Sequence, residues 1–157
     1  RTRAQMYKGE ADWTLIREIK RNPRIKIPIF GNGDVNSIEK AALWRMEYEI
    51  DGIMIGRAAI GYPWIFREIK HFFKTGEYLA EPTISERVEV CKTHLDKSIA
   101  WKGNKTGVFE MRRHYANYFK GIADFKEYRM KLVSLESIDD IHTVLEEINE
   151  RFQTEMV

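Results

Sequence analysis

Residues 29–35 read IFGNGDV, and residues 53–58 read IMIGRA. An Asn-Gly pair behind an apolar run ordinarily marks the tight turn of a β-hairpin. That reading fails here. The next stretch, NSIEKAALWRM from Asn36 to Met46, is rich in helix formers with apolar residues at helical spacing. The same order of apolar run, glycine turn and helix returns 22 residues on, counted from Asp34 to Gly56.

Upstream, Trp13, Ile16 and Ile19 recur at helical spacing between Ala11 and Asn22. Pro23 stops that helix, because the residue before a proline avoids helical backbone. IKIPIF, residues 25–30, is short and rich in β-branched residues, which predicts a strand buried on both faces. Asn36 is placed to cap the next helix, with Glu39 completing a capping box, and the helix should run to about Glu49. DGIMIG, residues 51–56, reads as the next buried strand. YPWIFREIKHFF, residues 62–73, reads as a helix with Pro63 in its first turn. Helix, strand, helix, strand, helix, with connections too long for hairpins, implies parallel strands with helical crossovers.

Past KTGEYLAEPTISE, residues 74–86, the strand pattern stops. Helical runs are predicted over roughly 84–101, 106–121, 124–133 and 138–154. A boundary therefore falls near 75–83, dividing an α/β part, residues 1–76, from an all-α part, residues 77–157.

Composition sets the outer limits. With 43% hydrophobic and 32% charged residues, the 157-residue chain is neither disordered nor membrane-like, and it is long enough to bury a core. No apolar run approaches the ~20 residues that span a bilayer. The single cysteine, Cys91, can make no internal disulfide, as expected of a reducing, cytoplasmic setting, and its helical context marks it as a packing residue. The chain opens on Arg1 rather than Met, which gives the expectation of a C-terminal piece of something longer. Between residues 92 and 131 there are ten Lys or Arg against four acids, and between 132 and 157 one Arg against seven acids. This is either a polyanion-facing surface with its counter-charge elsewhere, or two solvated helical regions that partly pair.

In parallel α/β folds, ligands bind where the loops open at the carboxyl ends of the strands. Gly31, Gly33 and Gly56 allow positive φ or close approach to a ligand there, and amides facing a helix start suit phosphate. In an eight-stranded α/β barrel, phosphate is held by the loops after the last two strands. Two such turns just before the fold changes match strands seven and eight. Arg57 adds a charge of bidentate geometry, and Asn32 and Asp34 either reach the ligand or brace the turn. A phosphate-bearing cofactor is expected, and no metal.

Four blocks, RTRAQMYKGEADW from Arg1, GNGD from Gly31, DGIMIGRAAIGYPWIF from Asp51 and MRRHYANYFKG from Met111, together resemble the C-terminal part of a bacterial tRNA-dihydrouridine synthase. The likeness is strongest over Arg1–Phe66 and Arg112–Gly121 and weak after about Leu132. It implies the last strand–helix units of an FMN-binding TIM (β/α)8 barrel followed by a C-terminal helical, tRNA-binding bundle. It further implies an NADPH-dependent flavoprotein oxidoreductase that reduces uridine to dihydrouridine during tRNA processing. By that resemblance the FMN phosphate lies at Asn32, Gly33, Asp34, Gly56 and Arg57. Tyr62 stands where the family often has asparagine. The family's catalytic cysteine, flavin-side lysine and the histidine before RTR fall upstream of Arg1. The fragment alone is therefore expected to be inactive, and to keep only the phosphate end of the FMN site without binding FMN. Arg1 and Arg3 would stand at the substrate mouth, unless they are simply an unstructured cut end.

On a helical wheel Arg112, Arg113, Ala116 and Lys120 share one face of the 106–121 run, opposite Val108, Met111, Tyr115, Tyr118 and Ile122. The basic face, with His114 at its edge and Lys102 and Lys105 in the preceding loop, is either solvated or turned to phosphates; the resemblance favours tRNA. Other readings are a helical RNA-binding module with a barrel remnant, or another FMN-barrel oxidoreductase acting on a small molecule. Two strands cut from a barrel leave an open edge, so the fragment is expected to self-associate through the barrel remnant.

Overall fold

A computed structural model describes Ala4, Met6 and residues 8–153 of the chain. They divide into two compact units, one taking residues up to 59 with Pro63–Leu79, the other Ile60–Tyr62 with the residues from Ala80 on.

In the first unit α1 (Thr14–Arg21) precedes β1 (Phe30–Asn32), α2 (Ile38–Tyr48), β2 (Gly52–Met54), a 3-10 turn (Arg57–Ala59) and α3 (Ile65–Thr75). β1 and β2 run parallel, with Phe30 opposite Gly52, Gly31 opposite Ile53 and Asn32 opposite Met54. The Asp51 carboxylate fixes this register. It accepts from the Ile29 amide at 2.7 Å and from Lys20 of α1 at 2.6 Å, while the Asp51 amide donates to the Ile29 carbonyl at 2.9 Å.

Trp13 is the centre of this unit's core, 2% exposed against Trp44 and Tyr48 of α2 at ring-centroid distances of 4.2 and 5.4 Å. Its indole N–H donates to the Gly33 carbonyl at 3.1 Å. A Cβ on Gly31 would come within 2.1 Å of the Trp13 ring, so this glycine admits the indole rather than a ligand.

Three local expectations are corrected here. Of the first apolar run only Phe30 enters the strand, which continues to Asn32; Pro28 has no N–H to give a ladder, and Ile27, Phe30 and Met54 are 71%, 65% and 58% exposed, so the strands are not buried on both faces. The cap of α2 is Ser37, whose hydroxyl accepts from the Lys40 amide at 3.2 Å, rather than Asn36 with Glu39. Pro63 precedes the N-cap Trp64 rather than sitting in the first turn of α3.

The second unit is helical: α4 (Ile84–Lys102), α5 (Asn104–Tyr118), α6 (Lys126–Ser134) and α7 (Ile138–Phe152). Thr83 and Glu86 form the capping box that starts α4. The α4–α5 corner is the single residue Gly103, with φ 79°. Gly107 lets α5 lie close on α4, since a Cβ there would stand 2.7 Å from the Ile99 backbone. Val88, Cys91 and Leu95 of α4, Met111 and Tyr115 of α5, Leu132 of α6 and Ile141, Leu145 and Ile148 of α7 are fully buried. The apolar side expected of α5 is the buried one, except that α5 ends at Tyr118 and Ile122 lies half-buried beyond it. Buried Arg87 donates to the carbonyls of Pro82 and Lys120, tying the start of α4 to the chain after α5. None of the described helices is long and apolar enough to cross a membrane.

Candidate functional site

The two glycine turns meet at the carboxyl ends of β1 and β2. Gly33 has φ 129° and Asp34 φ 54°, a left-handed backbone that an aspartate adopts more readily than most residues. One Asp34 oxygen accepts from the Ala11 amide at 2.8 Å and the other from the Arg57 guanidinium at 2.8 Å. The Asp34 side chain is 12% exposed and that of Arg57 53%. Of the two roles open to Asp34, the geometry favours the brace, with the arginine left facing outward.

Asn32, Gly33, Asp34, Gly56 and Arg57 all line one cavity of about 830 Å³ in this unit. A Cβ added to Gly56 meets nothing within 4 Å, so its backbone faces open space. The wall also holds Asn36, Lys40 and Glu10, which the sequence reading did not name as site residues. Lys40 is the third residue of α2, and its ammonium lies 4.5 Å from the centre of the Trp44 ring. A basic residue in the first turn of the helix after a glycine turn was the available signal. Two cations, Arg57 and Lys40, thus share the cavity with Glu10 and with an Asp34 that is already paired.

The basic residues of the helical unit separate by role. Arg112 is half-exposed and already partnered: its guanidinium lies 4.4 Å from the Phe109 ring centre, donates to the Leu135 carbonyl at 3.3 Å and stands 3.9 Å from Glu136. Arg113 is exposed, and its Nε–H donates to His114 at 3.2 Å. His114 packs on His94 with ring centroids 4.9 Å apart, and His94 is 3.0 Å from the Tyr118 hydroxyl. Burial pushes both imidazoles below the ordinary histidine range, helped by Arg113. At neutral pH His114 therefore contributes hydrogen bonding rather than charge. Lys105 in the first turn of α5 and Lys120 beyond its end are exposed.

Cys91 is wholly buried, and burial raises its thiol well above the usual range, which removes it as a reactive group. No group of His, Cys, Asp and Glu able to hold a metal exists among the described residues. Arg1 and Arg3, the expected substrate-mouth residues, lie outside the described residues.

A family model described as dihydrouridine synthase matches residues 1–156. The chain is 42% identical over 136 residues to tRNA-dihydrouridine synthase B of Pseudomonas putida, covering 87% of this chain and 40% of that protein. It is 37% identical over 147 residues to probable tRNA-dihydrouridine synthase 1 of a Synechocystis species, covering 94% and 41%. To the probable tRNA-dihydrouridine synthase of Rickettsia conorii it is 38% identical over 129 residues, covering 82% and 38%. The chain spans about two fifths of the length of these relatives.

Proposed function

The chain belongs to the dihydrouridine synthase family, and on that premise we propose that it is the C-terminal portion of a cytoplasmic, flavin-dependent tRNA-dihydrouridine synthase. In this reading residues 1–76 close an FMN-binding (β/α)8 barrel and residues 77–157 bind tRNA. One observation carries it: the two glycine turns, distant in sequence, form one cavity with Arg57 on its wall.

That cavity fits a phosphate monoester. Gly56 leaves its backbone open, Arg57 offers guanidinium N–H groups, and Lys40 adds a second positive charge. Asp34 neither repels the anion in full nor binds it, because its charge is spent on Arg57 and the Ala11 amide. Its part is to aim the arginine. Bound there, FMN would supply the transfer of two electrons from NADPH to the five-six double bond of a uracil ring. Gly33, Gly56 and Arg57 would hold the cofactor's phosphate tail, with Asn32 at the rim. The proton that completes the reduction comes from elsewhere in the enzyme, since the buried Cys91 cannot donate it. By itself this chain holds only the phosphate end of the cofactor site and does not turn over.

In the helical unit, exposed Lys105, Arg113 and Lys120 meet tRNA phosphates, and His114 supports Arg113. Phe30 and Met54 leave an apolar face on the two-stranded sheet, with exposed Ile27 in the loop before it, through which the isolated chain self-associates.

Deleting the gene that encodes this chain and sequencing dihydrouridine across the cell's tRNAs tests the proposal. Loss of the base at particular positions, restored by the intact gene, supports it. An unchanged dihydrouridine map together with a small-molecule substrate for the purified flavoprotein would select the other barrel reading.

A further inference from the structure

We propose that Trp101 is a stacking platform for an unpaired nucleotide of the bound RNA, with Lys97 and Lys105 receiving the phosphates on either side. The inference rests on the reading of the helical unit as an RNA-binding surface and adds a base contact to it.

Trp101 is 81% exposed near the end of α4, whereas Trp13 and Trp64 are 2% and 6% exposed and Trp44 is packed against Trp13. A single exposed apolar residue is ordinary on a protein surface. The setting of this one is not. The Lys102 ammonium sits 4.7 Å from the centre of the indole and is paired on its other side with Glu110 of α5. The lysine is thereby held between a carboxylate and the ring. It covers part of one indole face, and the indole as a whole still stands open.

Cations predominate around the ring, and Asp96, next to Lys97 on α4, is paired with His142 at 2.8 Å. Between Lys97 and Lys105 there are three lysines and no Asp or Glu, and the nearest carboxylate on α5, Glu110, is engaged by Lys102. Lys97 lies four residues before Trp101 and shares its side of α4, and Lys105 lies two residues past the Gly103 corner; both are exposed. A protein partner would have to desolvate these ammonium groups to reach the indole. A nucleotide offsets that cost, because its base covers the ring while its phosphates bring opposite charge to the lysines. The base must be unpaired or terminal, since a base inside a duplex has both faces occupied. Stacking tolerates any base, so Trp101 adds affinity for exposed nucleotides in general.

The test uses the 157-residue chain, an unmodified tRNA transcript and a fully paired RNA duplex whose terminal base pairs are covered by non-nucleotide end caps. The tRNA should quench tryptophan emission and the duplex should not. Trp101→Phe should abolish the quench while keeping most of the affinity. Trp101→Ala should weaken tRNA binding on the order of tenfold and leave the salt slope unchanged, as loss of a stacked base predicts. The slope should instead fall in Lys97→Ala and Lys105→Ala. Binding of tRNA by Trp101→Ala within about twofold of the unsubstituted chain overturns this proposal and leaves the RNA-binding reading intact. Failure of the unsubstituted chain to bind tRNA at all overturns both. A change in oligomeric state on Trp101→Ala, read by light scattering, assigns the indole to a protein contact and also overturns it.

Discussion

Asp34 and Arg57, 23 residues apart, are joined by a 2.8 Å ion pair that links the two glycine turns. The acid is nearly buried and the base is half exposed, so one serves as anchor and the other faces the cavity. The two residues should respond differently to substitution.

In the protein encoded by the complete gene, Arg57→Ala should weaken FMN binding about tenfold to a hundredfold with little loss of thermal stability, as removal of a charged hydrogen bond to an anion implies. Arg57→Lys should recover only part, because a point charge lacks the bidentate fork. Asp34→Ala should lower stability as well, since it leaves the Ala11 amide unpaired and puts a poorer residue at φ 54°. Flavin fluorescence titration and thermal melts of the two variants check this; equal effects on binding and stability would contradict it.

Arg112 and Arg113 are adjacent yet play different parts. Arg113→Ala and Lys120→Ala should each reduce the salt slope of tRNA binding by about one unit without altering the melting temperature. Arg112→Ala should instead destabilise the helical unit by about 1 kcal/mol, through loss of the bond to the Leu135 carbonyl. Filter binding over a salt series, with melts alongside, distinguishes them.

The helices of the second unit could be read from the sequence because their apolar residues recur cleanly at helical spacing. The hydrogen bond of Arg112 to the Leu135 carbonyl could not, because Leu135 lies 23 residues away in the link between α6 and α7. The start of α5 fell two residues early, at Asn104, because Gly103 alone turns the corner. Among the glycines, Gly56 opens toward the cavity, while Gly31 is small to admit Trp13, a long-range contact that local pattern does not reveal. The meeting of the two glycine turns was legible from their order alone, given parallel strands. Lys40 was missed because it falls within an ordinary helical stretch.

Asp51 should make the first unit sensitive to acid. The Ile29 amide, then Lys20, hold its carboxyl below the usual aspartate range. A carboxyl whose pKa is lower when folded stabilises the fold above its unfolded value and loses that contribution as pH falls through the folded one. Stability of this unit should therefore decline below about pH 4. Asp51→Asn should be less stable at neutral pH and should show a shallower decline. Melting temperatures of both proteins across this range give the comparison, and parallel curves would count against the role assigned to Asp51.

Phe30 and Met54 leave an apolar face beside strands whose outer edges pair with nothing among the described residues. The isolated chain should form a dimer or larger assembly at micromolar concentration, and Phe30→Lys should shift it toward monomer. Size-exclusion chromatography with light scattering reads this directly; a stable species of 18.6 kDa without the substitution would contradict it.

The most direct test of the whole account is formation of dihydrouridine in vitro. The protein encoded by the complete gene is supplied with FMN, NADPH and an unmodified tRNA transcript, and the product is read by mass spectrometry as a gain of two hydrogens on uridine. The account predicts NADPH-dependent reduction at defined uridines by that protein, strongly reduced by Arg57→Ala at limiting FMN, and none by the 157-residue chain alone. Absence of dihydrouridine with flavin bound and tRNA bound, or turnover by the short chain alone, would contradict it.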